Sequence, residues 1–245
     1  LYALERTLYQ SAGHVVALSP DMATHVRRRA GHDRVTMNPY GTDLTLLRRA
    51  PIRDARALCP LGDGQRLVLY AGSFGRANAI PTLLGAARRL QNRSDLVWAF
   101  VGDGYYRSAI EAAAERLSNV RLLPPQSYHR TLALFKHATL SVTSFIDRPV
   151  LRANAPSKLM DSLAAGTPVI VTNPGWTKQL VESGGCGWYV PPEDPEALAD
   201  CMSRAFDASS RQHCQWQHNA RHIAYTQFDR NCHMTRYRML LKQLA

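Results

Sequence analysis

Lysine is scarce in this chain. Among 30 basic residues the lysines are Lys136, Lys158, Lys178 and Lys242 alone, and the rest of the positive charge is arginine. No apolar run approaches the roughly 20 residues that cross a bilayer, which excludes a membrane-spanning helix for the sequence as it stands. The five cysteines (Cys59, Cys186, Cys201, Cys214, Cys232) never form a C-x-x-C pair. That excludes a disulfide framework and fits thiol usage in the cytoplasm. There is no Walker A loop and no G-x-G-x-x-G, so ATP hydrolysis and dinucleotide binding lose support. Asp-x-Asp and H-E-x-x-H are missing too. Cys214, His218 and His222 recur at helical spacing, but no fourth ligand stands at zinc spacing, and an amphipathic helix with exposed histidines accounts for them. No metal is expected.

Acidic residues are the minority, 19 against 30, for a net charge of +11. A solvated basic face is the first reading of this excess, and attraction to an anionic membrane surface is the alternative. Nucleic acid is not an expected partner, because no aromatic-interleaved basic strand or recognition motif accompanies the charge. The opening Leu1-Tyr2-Ala3-Leu4-Glu5-Arg6 has neither an initiator Met nor a signal-peptide pattern, and it enters in mid-helix. A preceding piece of chain is therefore expected.

With 45% hydrophobic and 20% charged residues, the chain can bury a proper core. Strand 14–18 is followed by Ser19-Pro20-Asp21, a cap and first turn for a helix. Strand 34–37 ends in Asn38-Pro39-Tyr40-Gly41-Thr42-Asp43. The pattern then weakens from 44 to 64, which reads as a boundary. Beyond it, strands at 67–71, 97–101, 120–123, 140–142, 169–172 and 187–190 alternate with helices at about 79–91, 105–117, 127–137, 156–165 and 176–183. Three further helices, at about 194–207, 210–224 and 229–243, complete the chain. Strands apolar on both faces, separated by helices, predict an α/β fold: a Rossmann-like, doubly wound parallel sheet. In such sheets ligands sit beyond the carboxyl ends of the strands.

Candidate chemistry lies in four strand-to-helix loops. Gly72-Ser73-Phe74-Gly75-Arg76 follows the first strand of the series; its glycines admit a close ligand, and the helix after it favours phosphate. It reads equally well as a tight turn. Gly102-Asp103-Gly104 is weak by itself. Pro124-Pro125-Gln126-Ser127 makes a rigid connection in which Ser127 caps a helix. In the fourth, Asn154-Ala155-Pro156-Ser157-Lys158-Leu159-Met160-Asp161, a helix start carries Ser157 and Lys158, a combination suited to a diphosphate. Asp161, one turn on, could accept hydrogen bonds from ribose hydroxyls. A Lys–Asp pair on a helix surface is the competing reading.

The stretch Pro156-Ser157-Lys158-Leu159-Met160-Asp161, continued by Gly166-Thr167-Pro168, Gly175-Trp176, Leu180-Val181-Glu182-Ser183-Gly184 and Gly187-Trp188-Tyr189-Val190-Pro191-Pro192-Glu193-Asp194, resembles retaining glycosyltransferases of family 4. Ala71-Gly72, Val101-Gly102-Asp103-Gly104 and Asn38-Pro39-Tyr40-Gly41 support the likeness. It points toward the bacterial enzymes that build lipopolysaccharide or capsule on lipid carriers.

The resemblance implies the C-terminal half of a GT-B fold. Residues 1–45 would be the end of an acceptor domain otherwise missing here, 46–228 the nucleotide-sugar domain, and 229–245 a helix returning to the acceptor domain. The implied activity is transfer of a sugar, with retention, from a UDP-linked donor to a glycan or lipid-linked acceptor, in the cytoplasm or on the inner face of its membrane, with no cofactor. The chain alone is expected to transfer little. Donor contacts implied are Gly72, Ser73, Gly75, Arg76, Gly102, Pro125, Gln126, Asn154, Ser157, Lys158, Leu159 and Asp161, with Lys158 and Arg76 stabilising the departing diphosphate. Three positions depart from the family pattern: Ala153 stands where a sugar-binding glutamate is usual, and Ser73 and Asn78 where an Arg and a Lys are usual. A nucleotide-sugar epimerase and a non-catalytic binding module remain as alternatives.

Overall fold

The computed structural model describes residues 2–244. A small parallel sheet pairs β1 (Val15–Ala17) with β2 (Val35–Met37). A large parallel sheet is built from β3 (Arg66–Ala71), β4 (Leu96–Val101), β5 (Val120–Leu123), β6 (Leu140–Thr143), β7 (Val169–Val171) and β8 (Gly187–Tyr189). Its order is β5-β4-β3-β6-β7-β8. The chain winds outward in one direction from β3 and then in the other from β6, so the switch point falls between those two strands. That places a crevice beyond Ala71 and Thr143.

The inner strands β3, β4, β6 and β7 are buried on both faces, as their near-continuous apolar sequences require, while the edge strands β5 and β8 are largely half-buried. Leu67, Leu69 and Ala71 of β3 join one core, with the helices Tyr128–His137 and Ser157–Ala165. Val68 and Tyr70 join the other, with Trp98, Phe100 and the helix Pro195–Asp207. The doubly wound reading of the sequence is therefore correct, with strand ends shifted by a residue or so.

The stretch 44–64, where the sequence pattern weakens, is structured. It holds two helices, Leu44–Arg49 and Ile52–Leu58, and their Leu44, Leu47 and Ala55 enter the core beside Leu132 and Phe135. Each helix is too short to show a clear apolar period, and arginines occupy the faces turned to water.

The small sheet meets the large unit through specific contacts. Ser19 Oγ donates to the Ala153 carbonyl at 2.6 Å, and an Asp21 carboxylate oxygen accepts from the Trp176 N–H at 3.1 Å, at the start of helix Trp176–Ser183. The last helix, Arg230–Leu244, brings His233 against Asn38, while Thr42 bridges to Asp229. Among the described residues no helix is long and apolar enough to cross a membrane.

At the amino end of the large sheet, Asp95 accepts from Arg66 at 2.6 Å and from Arg93 at 2.8 Å, and Arg93 also reaches Asp207. The hydrogen bonds from Arg93, then those from Arg66, hold the Asp95 carboxyl well below the usual range. A depressed carboxyl stabilises the fold above its unfolded pKa near 4 and loses that contribution as pH falls toward the folded value. Asp95→Asn is therefore expected to be less stable than the parent to urea at pH 7, with the gap closing on acidification below about pH 4. An equal gap at pH 7 and pH 3 would refute this account.

Candidate functional site

Beyond the carboxyl ends of β3, β4 and β5 lies a cavity of about 590 Å³. Its lining brings together residues remote in sequence: Gly72 and Ser73, Gly102 and Asp103, Pro125 and Gln126, Tyr128, then Ser157, Lys158 and Asp161, with Tyr40, Gly41 and Arg230 at the crossings to the small sheet and the last helix.

The first two loops are laced together by backbone. Gly72 N–H donates to the Val101 carbonyl at 2.9 Å, and Phe74 N–H to the Asp103 carbonyl at 2.8 Å. Both Gly72 (φ +141°) and Gly102 (φ +146°) sit where side chains strain the backbone. A Cβ on Gly102 would lie 2.0 Å from the Gly72 carbonyl oxygen, so this close approach requires glycine.

Helix Ser157–Ala165 opens into the same cavity. Pro156 precedes it and, among the described residues, no side chain caps it. Its first N–H groups therefore face the pocket with the positive end of the helix behind them, an arrangement suited to an anion. Half-buried Lys158 adds the positive charge. Its Nζ donates to Tyr70 Oη at 2.9 Å and lies 4.1 Å from the Tyr70 ring centre. Burial pulls the ammonium down to about 7.

The Lys158–Asp161 surface pair does not form. Asp161 is 7% exposed, and its Oδ1 accepts from Thr42 Oγ1 and from Tyr128 Oη, each at 2.8 Å. Burial pushes its carboxyl up, against the pull of those two hydrogen bonds. Oδ2 receives no hydrogen bond from the described residues and remains available to a ligand hydroxyl.

Of the positions expected from the sequence, Gly72, Ser73, Gly102, Pro125, Gln126, Ser157, Lys158 and Asp161 line the cavity. Four do not. Arg76 is exposed, with its guanidinium drawn over the Tyr105 ring at 4.1 Å. Gly75 begins the short turn that carries Arg76 away from the pocket. The Asn154 carbonyl accepts from Trp176 Nε1 at 2.9 Å, turning that segment toward the helix Trp176–Ser183. Leu159 is fully buried and packs into the core. Among the departures from the family pattern, Ser73 lines the cavity, the Asn78 carbonyl accepts from Ser144, and the Ala153 carbonyl is taken by Ser19.

Tyr70, Tyr128, Thr42 and Arg230 escaped sequence reasoning. Tyr70 sits inside an apolar strand run, where alternation marks it as core. Tyr128 follows the Ser127 cap, and that position at the mouth of a strand-to-helix loop was the one local signal available.

Comparison with known proteins agrees with this geometry. Residues 53–223 match the family model described as glycosyl transferases group 1. The chain is 28% identical over 212 residues to WcaI of Escherichia coli K12, provisionally named a colanic acid biosynthesis glycosyl transferase; the match covers 83% of this chain and 52% of WcaI. It spans about half the length of the curated relatives it matches. The fold is shared with Anabaena HepE, solved in complex with UDP-glucose, at a TM-score of 0.80 and 18% identity over 99% of this chain and 67% of HepE. It is shared as well with WaaG, a glycosyltransferase involved in lipopolysaccharide biosynthesis, at a TM-score of 0.74 and 21% identity over 92% of this chain and 62% of WaaG. With the family model covering residues 53–223, and a doubly wound sheet carrying its pocket beyond the carboxyl ends of β3, β4 and β5, the chain belongs to the group 1 glycosyl transferases.

Proposed function

We propose that this chain is the donor-binding part of a retaining glycosyltransferase that takes a UDP-linked sugar and serves bacterial surface polysaccharide synthesis. The observation that carries the reading is the convergence of the Gly72–Ser73 backbone, the uncapped helix start at Ser157 and the Lys158 ammonium on one cavity. Three such groups suit the two phosphates of a nucleoside diphosphate. Asp161, through Oδ2, takes the ribose hydroxyls, and the 125–126 segment flanks the base.

The protein's chemical work is to stabilise the diphosphate as it leaves the anomeric carbon. Lys158 and the helix N–H groups neutralise the charge that develops there. Arg76 is left out of this role by its stacking on Tyr105. The acceptor side belongs to a domain that residues 1–45 would complete, with the last helix as its return contact. The UDP-glucose in HepE and the names of WcaI and WaaG support the donor and pathway assignments. The net charge of +11 supports work at the anionic inner face of the cytoplasmic membrane, on a lipid-linked acceptor.

Calorimetric titration with UDP, GDP and ADP tests the reading. UDP is expected to bind more tightly than the other two, and uridine alone weakly. If no nucleoside diphosphate binds, the assignment of the site is wrong. A non-catalytic binding module is the second reading, favoured by the apolar Ala153. It predicts intact UDP binding but no transfer to a lipid-linked acceptor when the chain is joined to an acceptor domain.

A further inference from the structure

The site holds a cation without an anionic partner. Among the described residues no carboxylate forms an ion pair with Lys158, and the acidic groups nearby have hydrogen bonds or ion pairs of their own. Asp161, on the same helix, gives Oδ1 to Thr42 and Tyr128. Asp103, from the loop after β4, accepts from the Gly104 N–H and faces Arg107 at 3.7 Å. Arg230, from the last helix, faces Asp43 at 3.5 Å. What remains beside the ammonium is Tyr70, from β3.

The directions of the hydrogen bonds around Tyr70 are fixed by chemistry. Its hydroxyl proton is committed to the Ser73 carbonyl at 2.7 Å. Its oxygen must therefore accept from Lys158 Nζ, since an ammonium can only donate. Burial pushes the phenol's ionisation up, so the oxygen stays neutral. The result is a relay from Lys158 through Tyr70 to the backbone of the phosphate-facing loop. It seats the ammonium so close to that loop that a Cβ on Gly72 would lie 2.9 Å from Nζ.

Resting on the donor-site reading above, we propose that Tyr70 is a positioning residue of the diphosphate site, its phenol oxygen standing where a carboxylate partner would otherwise hold Lys158. A neutral acceptor orients the ammonium without cancelling its charge. The charge of the protonated lysine is thus left for the incoming diphosphate, where a carboxylate would compete with it. The unpaired, half-buried ammonium also releases its proton easily in the empty site, and a bound diphosphate restores it. Above about pH 7 UDP binding takes up a proton, and affinity declines as pH rises.

The small number of lysines makes this measurable. With lysine labelled at 13Cε, the protein gives four signals in solution, and Lys158→Arg identifies the one from Lys158. That signal is expected to titrate near pH 7 and to move upward with UDP. Tyr70→Phe keeps the ring under Nζ and removes the oxygen. It is expected to lower the Lys158 titration further, to weaken UDP binding by about three- to tenfold, and to shift the pH at which affinity declines downward. In a Lys158→Ala background the same change is expected to cost little more.

Tyr70→Phe with the parent's Lys158 titration, or with the same loss of affinity in both backgrounds, would overturn the proposal while leaving the donor site standing. A parent protein that binds no UDP would overturn the donor-site reading itself.

Discussion

Lys158→Ala is expected to weaken UDP binding by roughly ten- to hundredfold, the effect of removing one charge-assisted contact of ~1.5–3 kcal/mol. Uridine binding, by contrast, should be almost unchanged, because the base and ribose contacts proposed above fall to the 125–126 segment and Asp161. This separation makes the experiment specific: a folding defect would depress both ligands together. Lys158→Arg is expected to recover little. The ammonium is packed against Gly72 and bonded to Tyr70, and the planar fork of a guanidinium does not fit a seat built for a compact charge. Paired calorimetry with UDP and uridine checks the prediction. Equal losses for the two ligands, or none for UDP, would remove Lys158 from the phosphate site.

Gly102→Ala is expected to be the most damaging small substitution. The new methyl would have to occupy space 2.0 Å from the Gly72 carbonyl, on a backbone at φ +146° that alanine rarely adopts. Strain of this kind costs ~1–3 kcal/mol, and the clash adds to it, for a total of about 3 kcal/mol or more. For a domain of this size that is a loss of roughly 6–12 °C in melting temperature. The loop cannot relieve the clash by moving alone, since Gly72 is hydrogen-bonded to Val101 and Phe74 to Asp103. Nucleotide affinity should fall with stability, because the surface that shifts also lines the pocket. Scanning calorimetry with and without UDP measures both, and a variant that melts with the parent would show that the loops are not locked.

These two residues also mark where the sequence was legible. Lys158 was found because its helix start carries local signals in one short run: Pro156, Ser157 and a lysine in a chain with few of them. The alternation of strands and helices was legible for the same reason, as each element buries its own periodic face. Tyr70 was illegible because its function depends on a partner 88 residues away. In an unbroken apolar strand, nothing local separates a tyrosine with work for its hydroxyl from one that fills space. Thr42 and Tyr128 were hidden likewise, since both are defined by a shared oxygen of Asp161. Arg76 shows the opposite situation. Its place in the loop suggested a phosphate contact, but a neighbouring aromatic ring, Tyr105, captured it.

The Thr42–Asp161 hydrogen bond spans the crossing from the small sheet to the large one, and a second crossing runs beside it where Asp229 bridges Thr42. A hinge motion of one unit against the other must bend the chain at these strands of backbone, within one side chain of the carboxylate assigned to the ribose. Such a motion must break the Thr42–Asp161 hydrogen bond or carry with it a carboxylate that lines the pocket.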